Sequence, residues 1–176
     1  MFVSPRHLQN KTAKFSKDRQ EYLQQLVTEY STTVEIEAKQ QIVANLANFC
    51  YDPINFDYME KLNIIDLFTD VLQDNDEKLI EFAIAGLCNL TAHVNFQEKV
   101  MQTPDCLQLI MKCLSRDCEE TLISAMTTLI QLLHSQKDKL TVVEIVNAMK
   151  TLSFSENKRI KNLALLFLKD TGTVPY

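Results

Sequence analysis

Apolar residues recur along this chain with two nested periods. The short period is helical: Leu23, Leu26, Val27 and Tyr30 fall at i, i+3, i+4 and i+7, on one face of a helix. The long period is about 41 residues. The segments Ala44-Asn45-Leu46-Ala47-Asn48-Phe49, Ala85-Gly86-Leu87-Cys88-Asn89-Leu90 and Thr127-Thr128-Leu129-Ile130-Gln131-Leu132 align on their central leucines. A degenerate fourth copy puts Leu168 in register, so the spacings are 41, 42 and 39 residues. Repeats of roughly 40–47 residues are built from two or three helices, and each leaves an apolar face that only the next repeat can cover. The pattern predicts an all-α chain stacked as a solenoid, an architecture that offers extended binding surfaces.

The polar positions divide the chain. A first helix is expected from Asp18, with Asp18 and Glu21 as a capping pair, ending at Ser31-Thr32-Thr33. Repeat one opens near Glu35 and turns Ala38, Ile42, Leu46 and Phe49 inward; Asp52-Pro53 stops it. A short segment from Phe56 to Lys61 leads to a helix over Ile64–Leu72. Repeat two carries Leu79, Ala83, Leu87 and Leu90 inward, then a short helix over Asn95–Met101. Thr103-Pro104 signals a further helix start, and Asp117 with Glu120 another. Repeat three uses Thr121, Ala125, Leu129 and Leu132, but Lys137-Asp138-Lys139 replaces the short apolar helix. The boxes Thr141-x-x-Glu144 and Ser153-x-x-Glu156 are expected to open the last two helices, and Gly172 to close the last. Ala83, Ala125 and Ala164 share one register position, where a small side chain lets helices approach closely.

Composition narrows the class. Only two glycines and four prolines among 176 residues argue against a turn-rich β fold. No apolar run reaches the roughly 18 residues that cross a bilayer, and residues 1–20 lack a signal-peptide core, so an intracellular protein without membrane contact is expected. The five cysteines include no C-x-x-C pair and suit buried thiols rather than a disulfide framework. Charge is uneven. Arg6, Lys11, Lys14, Lys17 and Arg19 leave residues 1–20 at +4, while the remainder sits at −9. Residues 1–17 therefore read as a basic, disordered arm, 18–171 as the repeat domain and 172–176 as a tail. The arm is a candidate nucleic-acid contact; the acidic body does not support a large phosphate-binding face.

Leu79–Asp117 resembles an armadillo repeat. Glu81–Leu90 is similar to the long third helix of that family, and Asn95–Met101 and Asp105–Leu114 to the two helices that follow it. The resemblance implies a short right-handed armadillo-type α-solenoid of about three repeats plus a capping helix. It also implies a groove lined by the third helices, where an asparagine on each can bind a peptide backbone. The matching positions are Asn48 and Asn89, with Gln131 as an amide substitute and Asp170 as a departure. Glu81, Ala44, Ala85 and Thr127 lie on the same lining helices. An amide both donates and accepts, which suits a peptide unit; equally, such amides can bridge neighbouring helices. Peptide-binding import receptors of the family place tryptophan where this chain has Ala44, Ala85, Thr127 and Leu166, and the chain contains none, so that chemistry is not expected.

Glu21–Tyr30 and Val43–Pro53 further resemble one branch of the family, small adaptors. That resemblance implies a protein partner with an RNA-recognition motif, like RNA-binding motif protein 48, in the nuclear minor spliceosome, with RNA reached indirectly. The alternatives are a general peptide-binding module in signalling or trafficking, and direct RNA binding through the arm.

Nothing points to catalysis, a cofactor, a metal or a small-molecule substrate. His7, His93 and His134 have no metal-ligand spacing, and no phosphate loop or nucleophile elbow occurs. His93 and His134 fall near equivalent helix C-termini, where a cationic side chain is favoured. Lys158, Arg159 and Lys161 form a basic cluster at the start of the last helix, which reads as a solvated face or a contact for an acidic partner.

Overall fold

The computed structural model describes residues 5–173, with side chains from residue 19 onward except that of His134. The side chains of Arg6, Lys11, Lys14 and Lys17, and the tail 174–176, lie outside the described residues. Among the described residues every regular element is helical: α1 (Pro5–Thr32), α2 (Ile36–Phe49), a 3-10 turn (Pro53–Asn55), α3 (Phe56–Lys61), α4 (Ile64–Val71), α5 (Glu77–Thr91), α6 (Val94–Gln102), α7 (Cys106–Cys113), α8 (Glu119–Leu140), α9 (Val143–Leu152) and α10 (Lys158–Thr171).

The long helices α2, α5, α8 and α10 each pack against the next, so the four copies of the repeat stack in chain order. The aligned leucines Leu46, Leu87, Leu129 and Leu168 are all buried, as are Ala83, Ala125 and Ala164. One core cluster therefore runs from Leu23 in α1 to Leu168 in α10. The thiols of Cys50, Cys106 and Cys113 are buried in it, and all five cysteines are free.

Several boundaries differ from the sequence expectation. α1 starts at Pro5, not Asp18, and takes in most of the basic arm. Proline is suited to the first helical turn, and the lysine, glutamine and arginine that follow are good helix formers. Thr103 does not open a helix: its hydroxyl donates back to the Lys99 carbonyl at 2.9 Å, and α7 starts at Cys106 after Asp105 at φ 59°. α8 begins after Cys118 without a side-chain cap, so Asp117 is not its cap. α9 begins after Val142, also uncapped by a side chain. Ser153 donates to the Lys150 carbonyl at 2.6 Å. α10 instead starts at Asn157, whose carboxamide accepts from the Arg159 amide at 2.9 Å. The Thr103 and Ser153 hydroxyls bond back into the preceding helix instead of capping the next one. Gly172 closes α10 at φ 74°, a left-handed conformation that glycine adopts without strain.

The break in repeat three is a kink rather than a loop. Gln136 leaves helical geometry at φ −138° and ψ 35°, and the chain resumes as helix through Lys137–Leu140. Lys137 Nζ donates to the carbonyl of Asp170 at 2.7 Å, tying the kink to the end of α10.

Candidate functional site

The long helices are joined along both ends by polar contacts. At their N-terminal ends, Gln40 Nε2 donates to both carboxylate oxygens of Asp76, at 3.0 and 3.1 Å. Asp76 at the same time caps α5 through the Leu79 amide at 2.8 Å. Arg116 pairs with Glu77. Arg159 reaches Glu119 at 3.1 Å and Glu120 at 2.8 Å, and its hydrogen bond holds the Glu120 carboxyl below the usual carboxylate range. Glu81 is half-buried beside these contacts, pairing with Lys78 at 3.1 Å and accepting from the Cys118 thiol at 3.7 Å.

At the C-terminal ends the amides anticipated as peptide ligands are found between helices. Asn89 Nδ2 donates to the Ala47 carbonyl at 2.9 Å, linking α5 to α2. The Thr91 hydroxyl donates to Gln131 Oε1 at 2.6 Å, linking α5 to α8. Each amide so uses one of its groups; the Asn89 carbonyl and the Gln131 amino group have no partner among the described residues. Asn48 is exposed.

Asn89 and Gln131 share the wall of an open cavity of about 290 Å³. Tyr51, 79% exposed, Pro53 and Phe56 form the apolar side of it, and Cys88, Ala92 and His93 complete it. Burial pushes the Cys88 thiol up, with a hydrogen bond from Thr128 opposing, so the wall offers no thiolate. His93 follows the C-cap of α5, its amide donating back to the Leu90 carbonyl at 3.0 Å, and is at the same time the N-cap residue of α6. Its ring meets Phe56 edge-on at 4.9 Å, and its buried Nδ1 has no hydrogen-bond partner among the described residues.

Asn48 belongs to a neighbouring cavity of about 250 Å³ shared with Arg19, Phe49, Asp52 and Asn55. The structure thus brings Asn89 and Gln131 together and sets Asn48 beside Arg19, the one of the five N-terminal basic residues with a described side chain. Ala44, Ala85 and Thr127 are half-buried on α2, α5 and α8. Among the described residues no group of three His, Cys, Asp or Glu side chains could hold a metal ion, and no helix is long and apolar enough to cross a membrane.

Two buried amides escaped the sequence reading. Asn55 Nδ2 donates to the Phe49 carbonyl at 2.7 Å, closing the end of α2, while its Oδ1 accepts from Arg19 at 3.2 Å. Gln97 Nε2 donates to the Thr91 carbonyl at 2.9 Å, closing α5, while its Oε1 accepts from Ser135 at 2.9 Å. Asn55 and Gln97 are 42 residues apart, as are Phe49 and Thr91, so the repeat period was the signal that could have revealed them.

The stacked long helices and their amide-lined edge can be set against known proteins. The chain is 46% identical over 152 residues to armadillo repeat-containing protein 7 of Mus musculus, covering 85% of this chain and 76% of that protein. The chain belongs to the armadillo repeat-containing protein 7 family. No protein-family model matches it. Among solved structures, the armadillo fold recurs in computationally designed armadillo repeat proteins for modular peptide recognition, with a TM-score of 0.73 at 18% identity. That match covers 95% of this chain and 76% of the other. An engineered protein matches with a TM-score of 0.72 at 16% identity over 87% of this chain. The chain spans 63% of that protein's length. As an armadillo repeat protein, the chain is a helical scaffold of the kind that binds proteins.

Proposed function

We propose that the chain is a non-enzymatic adaptor that holds an RNA-recognition-motif protein, similar to RNA-binding motif protein 48, within the nuclear minor spliceosome. The observation that carries a protein-binding role is the cavity at the C-terminal edge of the long helices. There Asn89 and Gln131 keep hydrogen-bonding groups unused beside the exposed ring of Tyr51. An aromatic platform next to free amide groups suits a protein side chain and its adjoining peptide unit. The splicing assignment rests on the family resemblance. The test is affinity purification of the tagged chain under gentle salt, with and without nuclease. Recovery of an RNA-recognition-motif protein that survives nuclease, and is lost with Tyr51→Ala, supports the reading. Recovery of no such protein overturns it.

The likeness to designed modules for peptide recognition favours a second reading, a general peptide-binding module. It predicts that the Asn48→Ala/Asn89→Ala double variant loses its ligand while retaining its helical content. Direct RNA binding draws on Arg6, Lys11, Lys14, Lys17 and Arg19, but Arg19 is already engaged with Asn55. If the arm contacts phosphates, deleting residues 1–17 lowers the log–log salt slope by roughly 0.7–0.9 per lost contact.

A further inference from the structure

In each of the first three copies of the repeat, one stripe of the long helix is covered by the helix that follows. Gln40 and Ala47 of α2 bond to Asp76 and Asn89, at the start and near the end of α5. Between them lies Val43, fully buried. The equivalent stripe of α5 holds Glu81, Ile84 and Cys88, with Ile84 again fully buried. In α8 the matching residue is Met126, also 0% exposed. The corresponding stripe of α10 is Asn162, Leu165 and Lys169, with Leu166 beside it in register with Ala44, Ala85 and Thr127, and all four are exposed. Leu165, in register with Val43, Ile84 and Met126, is 41% exposed, and Leu166 is 44% exposed.

The charges around this stripe are not those of α5 and α8, although α2 carries the half-buried Lys39 in register with Lys161. Ile80 and Leu122 are buried, whereas their counterpart in α10 is the exposed Lys161. Cys88 and Ile130 correspond to the exposed Lys169. Lys158 continues the same side of the helix one turn earlier, and none of these three lysines has an ion-pair partner among the described residues. Arg159, by contrast, points back to Glu119 and Glu120. A pair of leucines flanked along the helix by unpaired lysines thus stands at the end of a chain whose residues beyond position 20 carry −9.

We propose that this face of α10 docks an acidic amphipathic helix of a partner protein, as a surface separate from the cavity at Asn89 and Gln131. The partner's apolar stripe covers Leu165 and Leu166, and carboxylates on its rim meet Lys158, Lys161 and Lys169. Helix-on-helix recognition of this kind reads anchors at i, i+3, i+4 and i+7, the spacing that α10 offers. Charge excludes the other occupants. A further repeat packed as α8 packs on α5 would cover Lys161 and Lys169 where α5 and α8 carry apolar side chains, at a desolvation cost. A second copy meeting this face symmetrically would set lysine against lysine. Lysines that served solubility alone would not need the two leucines between them.

The test uses the full chain, isotope-labelled, and two synthetic helical peptides of about the length of α10. Both carry the same leucine stripe, one flanked by glutamates and the other by lysines. The expected result is saturable binding of the glutamate peptide, with amide shifts centred on Lys161, Leu165 and Lys169. Binding weakens as salt rises, and falls roughly tenfold or more in the Lys161→Glu/Lys169→Glu variant, since exposed rim charges set encounter and salt dependence. Both positions are exposed, and an unchanged melting curve for the variant confirms that it folds. Equal binding of the two peptides, shifts confined to Asn48, Asn89 and Gln131, or no saturable binding would each overturn the proposal. So would concentration-dependent self-association that the double variant abolishes, because it would give the face to a second copy. Loss of this site leaves the Tyr51-dependent capture unchanged, so the two readings fail separately.

Discussion

The ring of Phe68 in α4 occupies the space that a side chain at Gly86 in α5 would need: an ideal Cβ there would stand 2.4 Å from Phe68 Cε2. Phe68 is fully buried, so its ring has nowhere to move. Gly86 sits mid-helix, where glycine disfavours the helix by about 1 kcal/mol relative to alanine. Close approach of the two helices at this point outweighs that loss. Gly86→Ala is expected to destabilise the chain by about 1–3 kcal/mol despite its better helix propensity. Adding Phe68→Leu should restore part of the loss, which urea melts of the single and double variants will measure.

The amides that bridge the long helices should be separable from those that close them. Asn89→Ala removes one hydrogen bond at a half-buried position and should cost about 0.5–1.5 kcal/mol. Gln97→Ala leaves the Thr91 carbonyl and the Ser135 hydroxyl without their buried partner, and should cost more, about 1–3 kcal/mol. If thermal melts gave the reverse order, Gln97 would not be the fastening described for it.

Acid should loosen the joint between α8 and α10. The Glu120 carboxyl is held below its ordinary value of 4.5, chiefly by the hydrogen bond from Arg159. A depressed folded-state value means that the ionised form is the one the fold favours. Its contribution is present above about pH 4.5 and is lost as pH falls through the lower folded value. The pair is exposed, so the effect is small. A Glu120→Gln variant should melt slightly below the parent at neutral pH and coincide with it in acid.

The cysteines should react according to burial. Burial pushes the Cys113 thiol up to about 11 and raises Cys50 and Cys106 as well, so little thiolate exists at neutral pH. A disulfide reagent should modify these three slowly in the folded chain and rapidly in denaturant. Mass mapping after a brief exposure reads the order directly.

Helix positions were legible wherever the apolar stripe was continuous, as in Ile36–Phe49 and Glu77–Thr91. The leucine register placed the core and the stacking order. Helix starts were less legible. Thr103, Thr141 and Ser153 carry the right side chains for caps, but a hydroxyl can equally bond back into the preceding helix, as Thr103 and Ser153 do. The amides at 89 and 131 were visible by register, yet not the contacts they make across the stack, since sequence alone leaves open whether such a group faces a ligand or a neighbouring helix. Tyr51 went unread because it falls between repeats, outside any periodic stripe.

The two buried amides that close α2 and α5 look in opposite directions. Asn55 turns back to Arg19 in the preceding helix, and Gln97 turns forward to Ser135 in the following one. Each repeat therefore carries an address as well as a shape. Duplicating or exchanging one of them would bring an amide of the wrong length to a neighbour without the matching group. Consensus arrays join identical modules; here the two joints differ in both the amide and the group it meets.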